Sequence, residues 1–339
     1  MRFEFKLRTG RLDPVEILPY RGYGTRRALF LKGRVLERKG ITRSSARDTI
    51  WRNLRNMAKR FMSDEVPGAR GRALFGGSTL ETVADEEDFF EVRFDLPEPL
   101  EGRTAWYPVD LELLWPEARD QTEARTTGEV LITPEARFGV ISDLDDTVVK
   151  SSATDLLKMA RIVLINNAYT RLPFEGVAEF YRALQRGGTG REFNPIFYVS
   201  SSPWNLYDLF VDFLDVHGVP AGPLFLKDWG PATVGRHRAH TLAVIRRLFD
   251  AYPDLPFVLI GDSGRRDPEI YHQTVREYPG RVRAVYIREV ETEETEERAD
   301  EVRAIARELG EMDVEMVHAQ DTAAAARHAL ENSLIARGA

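Results

Sequence analysis

The spacing of apolar and polar residues divides this chain into two parts with different predicted folds. In the first 135 residues, short runs such as Phe89–Leu96 and Trp106–Leu114 alternate apolar with polar side chains, and Gly and Pro residues separate the runs. A period of two places the apolar side chains on one face of a strand, and a succession of such strands is typical of an antiparallel sandwich. We therefore predict a β-rich, sandwich-like domain over residues 1–135.

One segment of this first domain has helical spacing instead. Between Ser45 and Met62 the apolar residues recur every three or four positions, and basic residues surround them: Arg47, Arg52, Arg55, Lys59 and Arg60. A basic amphipathic helix of this kind can lie on an anionic membrane surface. Alternatively, its apolar face packs on the sandwich and its basic face is solvated, which is the more common arrangement. The spacing alone is consistent with both.

After Pro134 the pattern changes to short, continuous apolar runs that alternate with helical segments. The apolar runs are Phe138–Ile141, Pro195–Val199, Phe257–Ile260 and Val282–Ile287, and the helical segments are Ala153–Asn166, Val177–Gln185, Leu206–His217 and His240–Tyr252. Alternation of this kind predicts βαβ units, in which helices cover both faces of a parallel sheet. We therefore place a domain boundary near Pro134 and predict an α/β domain over residues 136–339.

Composition narrows the possible functions and locations. The sequence contains no Cys, which excludes a disulfide framework, a thiolate zinc site and a cysteine nucleophile. Its net charge of −7 argues against a general nucleic-acid-binding protein, because such proteins are usually basic. The N-terminus lacks the apolar core of a signal peptide, and no run of about 18 apolar residues occurs. We therefore expect no transmembrane segment and a cytoplasmic location.

Carboxylates follow two of the predicted buried strands directly. Asp143, Asp145 and Asp146 come at the end of the first strand of the α/β domain, and Asp262 and Asp267 follow a later one. Because ligands of open parallel sheets bind at the carboxyl ends of the strands, we expect these side chains to lie at one site. Like charges so close together repel unless a cation intervenes, and hard oxygen ligands favour Mg²⁺. The sequence therefore predicts a carboxylate site that binds Mg²⁺.

Another strand end carries groups that suit a phosphate. The apolar run that ends at Val199 leads directly into Ser200, Ser201 and Ser202. Their hydroxyl and backbone N–H groups are the kind of donors that bind phosphate oxygens. A phosphate site beside the carboxylates is therefore expected.

Three motifs at these strand ends resemble those of the haloacid dehalogenase superfamily of phosphotransferases. In chain order they are Asp143-x-Asp145-x-Thr147, Ser200, and Gly261-Asp262-x4-Asp267. The longer strings SDLDDTVVKS, FYVSSSPWNLY and LIGDSGRRDPEIY are similar to the catalytic domain of the actin-patch type of phosphatidate phosphatase, over roughly residues 138–290. The resemblance implies a Rossmann-like parallel sheet. It also implies hydrolysis of phosphatidate to diacylglycerol and phosphate through an aspartyl-phosphate.

The same resemblance implies a role for each motif residue. Asp143 would be the nucleophile, and Asp145 would be the general acid that protonates the leaving oxygen and then activates water. Mg²⁺ would be held by the Asp143 carboxylate, the Asp145 backbone carbonyl and Asp262. Asp267 would support the metal directly or through water. Ser200 would donate a hydrogen bond to a phosphoryl oxygen.

The cation of the third motif departs from the family pattern. Family members often carry Lys directly after His at the start of the helix before the last motif, whereas this chain has His240 followed by Thr241. Lys227 is the only lysine after Ser200, so we assign this role to it, with Arg238 as the alternative. A surface lysine at the end of a strand is the competing interpretation of Lys227.

The spacing of the first two motifs bears on the substrate. Only about 50 residues, from Val148 to Val199, separate them, which leaves little room for a cap domain. A small cap, or none, leaves the site open to a bulky substrate or to one presented on a membrane. The leading hypothesis is therefore a phosphatidate phosphatase that acts as a peripheral membrane enzyme. Two alternatives are a phosphatase of soluble phosphomonoesters or phosphoproteins, and a membrane or protein scaffolding module with a vestigial site.

Overall fold

The computed structural model describes residues 2–9, 11–37, 65–103, 105–117, 124–144, 175–227, 237–264, 266–289, 296–319 and 321–337. The described residues up to Pro134 form one structural unit, and those from Glu135 onwards form a second. Two predicted helices, Ser45–Met62 and Ala153–Asn166, lie outside the described residues, as does Asp145. No helix within these ranges is long and apolar enough to span a membrane.

Within the described residues, the first unit consists of one short helix and eight strands. Its elements are α1 (Arg2–Arg8), β1 (Val15–Pro19), β2 (Gly22–Gly24), β3 (Ala28–Glu37), β4 (Arg70–Phe75), β5 (Ser78–Val83), β6 (Phe89–Asp95), β7 (Ala105–Trp115) and β8 (Arg125–Ile132). The strands pair in the order β1-β3-β2-β8-β7-β4-β5, and β6 also pairs with β3. The pairs are antiparallel apart from β2 with β8, which are parallel. The β-rich fold predicted for this region is confirmed.

This sheet encloses one hydrophobic core. The alternation predicted for β6 is confirmed, because Phe90, Val92 and Phe94 are buried whereas Glu91 and Arg93 are exposed. Buried side chains of β3, β4, β6, β7 and β8 belong to the same core cluster. The strands form one hydrogen-bonded sheet rather than the two separate sheets of a sandwich, since β2 pairs with both β3 and β8.

The second unit has six strands and six α-helices among its described residues. They are β9 (Gly139–Asp143), α2 (Val177–Arg186), β10 (Ile196–Pro203), α3 (Tyr207–Val216), β11 (Leu224–Lys227), α4 (His237–Ala251), β12 (Phe257–Asp262), α5 (Asp267–Glu277), β13 (Val282–Arg288), α6 (Glu296–Gly310), β14 (Glu315–Ala319) and α7 (Thr322–Glu331). The strands form a parallel sheet in the order β11-β10-β9-β12-β13-β14. The predicted parallel sheet with intervening helices is confirmed.

The central strands β9 and β12 are buried at every residue. A strand with both faces covered carries apolar residues at consecutive positions, which explains the continuous runs in the sequence. Both strands continue beyond the predicted runs, so that Asp143 and Asp262 are their last residues. Similarly, β10 continues past Val199 to Pro203, with an irregular register against β11.

The order of the strands predicts a crevice at the carboxyl edge of this sheet. Numbered along the chain from β9, the order is 3-2-1-4-5-6, which is that of doubly wound α/β sheets. The chain proceeds from β9 to β10 and β11 on one side, and then places β12, β13 and β14 on the other. Since the connections diverge from the β9–β12 pair, ligands of such sheets bind in a crevice at the carboxyl ends of these two strands.

Candidate active site

Three buried carboxylates lie together at this crevice. Asp143 ends β9, Asp262 ends β12, and Asp267 begins α5. Only 2%, 1% and 0% of their respective surfaces are exposed, and one oxygen of each side chain lies within 4.8 Å of the others. The structure thus brings together three of the residues that the sequence motifs single out.

The local backbone holds Asp267 against Asp262. The backbone N–H of Asp262 donates a hydrogen bond of 3.0 Å to Asp267 Oδ2. Gly261 permits this approach, because a Cβ atom at that position would lie 2.7 Å from Asp267 Cβ. Pro268 follows near the start of α5, where its missing N–H removes no helical hydrogen bond. The glycine and the proline therefore let the chain turn tightly from a buried strand into a helix, with a carboxylate on each side of the turn.

Two buried tyrosines attach helices to the strands that carry the carboxylates. Tyr271 on α5 donates a hydrogen bond of 2.8 Å to the carbonyl oxygen of Ile260 on β12. Tyr181 on α2 lies with its hydroxyl 2.6 Å from Ser142 Oγ on β9. Burial raises the pKa of Tyr271 well above its ordinary value, and the three nearby carboxylates raise it further. Tyr271 is therefore a neutral hydrogen-bond donor beside the carboxylate cluster at physiological pH.

The cluster requires compensating positive charge when its carboxylates are ionised. At the 4.8 Å limit of their separation, two carboxylate charges repel by roughly 3–4 kcal/mol at an effective dielectric constant of about 20. The three side chains offer only hard oxygen donors, which Mg²⁺ prefers to nitrogen or sulfur. The donor set, its burial and its compactness are therefore chemically suited to Mg²⁺.

Ser200 lies in the adjacent strand, one position beyond the residue that pairs with Asp143. That pairing residue is Val199, whose carbonyl oxygen accepts a hydrogen bond of 2.8 Å from the N–H of Leu144. Ser200 is fully buried, and its Oγ accepts a hydrogen bond of 3.0 Å from the N–H of Ser202. This local turn satisfies a backbone donor where β10 departs from regular pairing. Ser200 is thus at the same carboxyl edge as the carboxylates.

The two candidates for the third-motif cation occupy different positions. Lys227 is the last residue of β11 and is half-buried. β10 lies between β11 and β9, and Lys227 pairs with Pro203, four residues beyond the Val199 that pairs with Asp143. Arg238 on α4 is exposed and donates a hydrogen bond of 2.7 Å to Gln273 Oε1 on α5. Lys227 is therefore at the carboxyl edge of the sheet, whereas Arg238 contacts the side of a neighbouring helix.

Residues 138–289 match the family of catalytic domains of phosphatidate phosphatase APP1. This segment, which is less than half of the chain, is similar to that family, and we call it the APP1-family segment. The APP1-family segment includes β9 to β13 and every candidate site residue, from Asp143 to Asp267. Recognition of the phosphatidate phosphatase family from the sequence motifs is confirmed.

Proteins of two yeasts are related to this chain. Phosphatidate phosphatase APP1 of Saccharomyces cerevisiae is 32% identical over 156 residues, which are 44% of this chain and 26% of APP1. An uncharacterised protein of Schizosaccharomyces pombe is 27% identical over 194 residues, which are 54% of this chain and 30% of that protein. The chain thus spans less than a third of the length of either relative. Among solved structures, a carbohydrate acetylesterase from Xanthomonas citri aligns over 78% of this chain and 66% of its own, with 16% identity and a TM-score of 0.28, too low to establish a shared fold.

Sequence reasoning did not identify several residues that shape the APP1-family site. Tyr271 lies one helical turn after Asp267, so helical spacing counted from the last motif is a signal that could have found it. Tyr181 and Ser142 are 39 positions apart and meet only because α2 packs on β9. No local pattern in the sequence pairs them.

Replacing Gly261 with Ala should disturb the carboxylate cluster. The added methyl group would lie 2.7 Å from Asp267 Cβ and 2.8 Å from its Cγ, so Asp267 or the start of α5 must move. We expect the free energy of unfolding to fall by about 1–3 kcal/mol, as in other overpacked cores, and Mg²⁺ to stabilise the variant less than the wild type. Urea unfolding with and without Mg²⁺ measures both effects.

A glycine with open space around it provides the matched control. At Gly310, the last residue of α6, a Cβ atom would meet nothing within 4 Å. Gly310→Ala should therefore leave both the stability and the effect of Mg²⁺ unchanged. If Gly261→Ala behaves in the same way, the close packing of Gly261 on Asp267 is not important for the cluster.

Proposed function

We propose that this chain is a Mg²⁺-dependent phosphatidate phosphatase with a fold of the haloacid dehalogenase type. It would hydrolyse phosphatidate to diacylglycerol and phosphate. The observation that carries the proposal is the group of three buried carboxylates at the sheet crevice, inside a segment of the APP1 catalytic-domain family. A phosphate monoester brings further negative charge to such a site, so the reaction needs a cation there.

Asp143 is the proposed nucleophile. Its carboxylate attacks phosphorus and forms an aspartyl-phosphate while the P–O bond to diacylglycerol breaks, and Asp145 protonates the leaving oxygen. Asp145 then takes a proton from the water that cleaves the aspartyl-phosphate, which releases phosphate and restores Asp143. The position of Asp143 at the end of a buried central strand supports this role, because the strand holds the carboxylate at the crevice.

The carboxylates of Asp143 and Asp262 and the backbone carbonyl of Asp145 are the proposed Mg²⁺ ligands. Asp267 would bind the ion directly or through water. When bound, the ion neutralises part of the negative charge that the carboxylates and the phosphate bring together. The hydrogen bond from the Asp262 N–H to Asp267 Oδ2 supports this assignment, because it holds the two side chains in one cluster.

Ser200 and one basic side chain are the proposed ligands of the phosphoryl oxygens. Ser200 is supported by its place beside β9 at the carboxyl edge. Lys227 is preferred as the cation because it ends a strand at the same edge, next to the strand of Ser200. Arg238 is the alternative, although its guanidinium is hydrogen-bonded to Gln273.

A lipid phosphate is the proposed substrate, and the similarity to phosphatidate phosphatase APP1 of Saccharomyces cerevisiae supports it. We propose that the protein reaches this substrate at a membrane surface, as a peripheral protein of the cytoplasm. The basic segment Ser45–Met62 is the proposed contact, since its Arg and Lys residues suit anionic lipid.

A phosphate-release assay tests the proposed function directly. Purified full-length protein is incubated with phosphatidate in mixed detergent micelles, with Mg²⁺, with EDTA, and with EDTA followed by excess Mg²⁺. We expect phosphate release with Mg²⁺, none with EDTA, and recovery when Mg²⁺ is restored.

Other substrates in the same assay separate the competing functions. A panel of water-soluble phosphomonoesters and phosphopeptides is measured under identical conditions. Turnover of these substrates as efficient as that of phosphatidate would favour a soluble-substrate phosphatase. No turnover of any substrate would overturn the enzyme assignment in favour of a scaffolding role.

A further inference from the structure

An ion pair that reaches beyond the APP1-family segment holds the helix that carries Asp267. Arg298 on α6 donates two hydrogen bonds to Glu269 on α5, from Nη1 to Oε1 at 2.7 Å and from Nη2 to Oε2 at 3.0 Å. Glu269 is the third residue of α5, so these hydrogen bonds restrain the helical turn that begins with Asp267. Arg298 itself lies after residue 289, where the family match ends.

The geometry and burial of the Arg298–Glu269 pair distinguish it from an exposed ion pair within α6. The side chains of Arg298 and Glu269 are only 22% and 24% exposed, and two parallel N–H···O bonds fix their relative orientation. Arg303 and Asp300, also on α6, are 70% and 73% exposed. Exposed pairs of that kind contribute little to stability or orientation. The pair between Arg298 and Glu269 joins α6 to α5 and is largely buried, so it can orient α5.

A separate ion pair holds the far end of α5. Arg246 on α4 donates two hydrogen bonds to Glu277, from Nε at 2.8 Å and from Nη2 at 2.7 Å. Glu277 is the last residue of α5, which places it about 15 Å along the helix from Asp267. The two bidentate pairs thus restrain the same helix at opposite ends, and only the Arg298 pair is next to the carboxylate cluster.

We propose that Arg298 is a positioning residue, which acts through Glu269 to set the Asp267 carboxylate against Asp262 and so determines the affinity of the cluster for Mg²⁺. The inference rests on the proposed Mg²⁺ site. Groups that orient metal ligands without touching the metal commonly change its affinity by about 10- to 100-fold when they are removed. Without Arg298, the first turn of α5 loses this ion pair with α6, and part of the Mg²⁺ binding free energy is then spent on ordering Asp267.

The test compares Arg298→Ala with Arg246→Ala in the full-length chain. After removal of metal with EDTA and dialysis, isothermal titration calorimetry gives the Kd for Mg²⁺, and thermal unfolding without metal gives the Tm. We expect Arg298→Ala to raise the Kd about tenfold or more. We expect Arg246→Ala to lower the Tm by less, because its pair is more exposed at 46% and 31%, and to leave the Kd close to that of the wild type. Arg298→Lys should have an intermediate Kd, because a lysine keeps the charge but cannot form the two parallel hydrogen bonds to Glu269.

The outcomes separate this inference from the proposed function. An unchanged Kd in Arg298→Ala would overturn the positioning role and leave the proposed function standing. The positioning role would also be overturned if Arg246→Ala raised the Kd as much as Arg298→Ala does, because that result would indicate a general loosening of α5. If Arg298→Ala fails to fold, Arg298→Lys decides the question, and a wild-type Kd in that variant would overturn the role. If the wild-type chain binds no Mg²⁺ in the calorimeter, the proposed metal site fails and the inference fails with it.

Discussion

Asp143→Asn should lower the rate of phosphate release from phosphatidate by about 10³-fold or more, as expected when a group that forms the covalent intermediate is removed. Such a loss corresponds to about 4 kcal/mol of transition-state stabilisation. The amide of Asn has nearly the shape of the carboxylate, but it is a much weaker nucleophile and cannot form the same acyl-phosphate. The measurement is kcat in mixed micelles at saturating Mg²⁺.

The fold of Asp143→Asn should remain intact, which separates chemistry from stability. The substitution removes one of three like charges from a buried cluster whose oxygens lie within 4.8 Å. Without metal, the variant should therefore unfold at the same temperature as the wild type or at a higher one. Asp254→Asn, which changes an exposed carboxylate before β12, is the control and should keep full activity. Substantial turnover by Asp143→Asn would show that Asp143 is not the nucleophile.

Arg34→Ala should markedly lower the stability of the first unit. The Nε of Arg34, on β3, donates a hydrogen bond to Asp88 Oδ1, and the two residues are 7% and 0% exposed. Removing Arg34 leaves the buried Asp88 side chain without this partner. Deleting one partner of a buried ion pair costs about 3–5 kcal/mol, and we expect a decrease of that size in the free energy of urea unfolding.

Two further variants separate the effect of the buried charge from loss of packing. Adding Asp88→Asn to Arg34→Ala replaces the buried carboxylate with a neutral amide, and Asn tolerates the positive φ of 64° at this position. This double variant should recover part of the lost stability. Arg125→Ala is the surface control, because Arg125 is 62% exposed and its pair with Glu112 should contribute less than about 1 kcal/mol. If Arg34→Ala lowered the free energy of unfolding by no more than Arg125→Ala does, a stabilising role for the buried pair would be contradicted.

The elements that the sequence predicted best are strands that are buried on both faces, because their apolar residues are consecutive in the chain. β9 and β12 are buried on both faces, so they contain continuous apolar runs that mark them as central strands. β14 is a five-residue edge strand with mostly partly buried or exposed side chains, and it lacks such a run. This strand is poorly visible in the sequence, because its faces are only partly covered and few of its positions require an apolar residue.

The residues of the candidate site that could be predicted from the sequence are those that directly follow a buried strand. Asp143 and Asp262 come directly after apolar runs, and the carboxyl ends of parallel strands share one edge, so their meeting could be inferred without coordinates. Ser200 follows the same reasoning. Lys227 was assigned only because no other lysine follows Ser200, and a residue chosen by elimination has no geometric pattern to support it.

The sequence by itself determined the fold class, the positions of the central strands and the carboxylate motifs, because periodicity and motif spacing are properties of residues close together in the chain. Only the tertiary structure decided the strand order that opens the crevice between β9 and β12, and the single sheet of the first unit. Backbone hydrogen bonds pair strands almost independently of which side chains they carry, so pairing order leaves little trace in the sequence. The same holds for the contact between Arg298 and Glu269, which are 29 positions apart and meet because α6 packs beside α5.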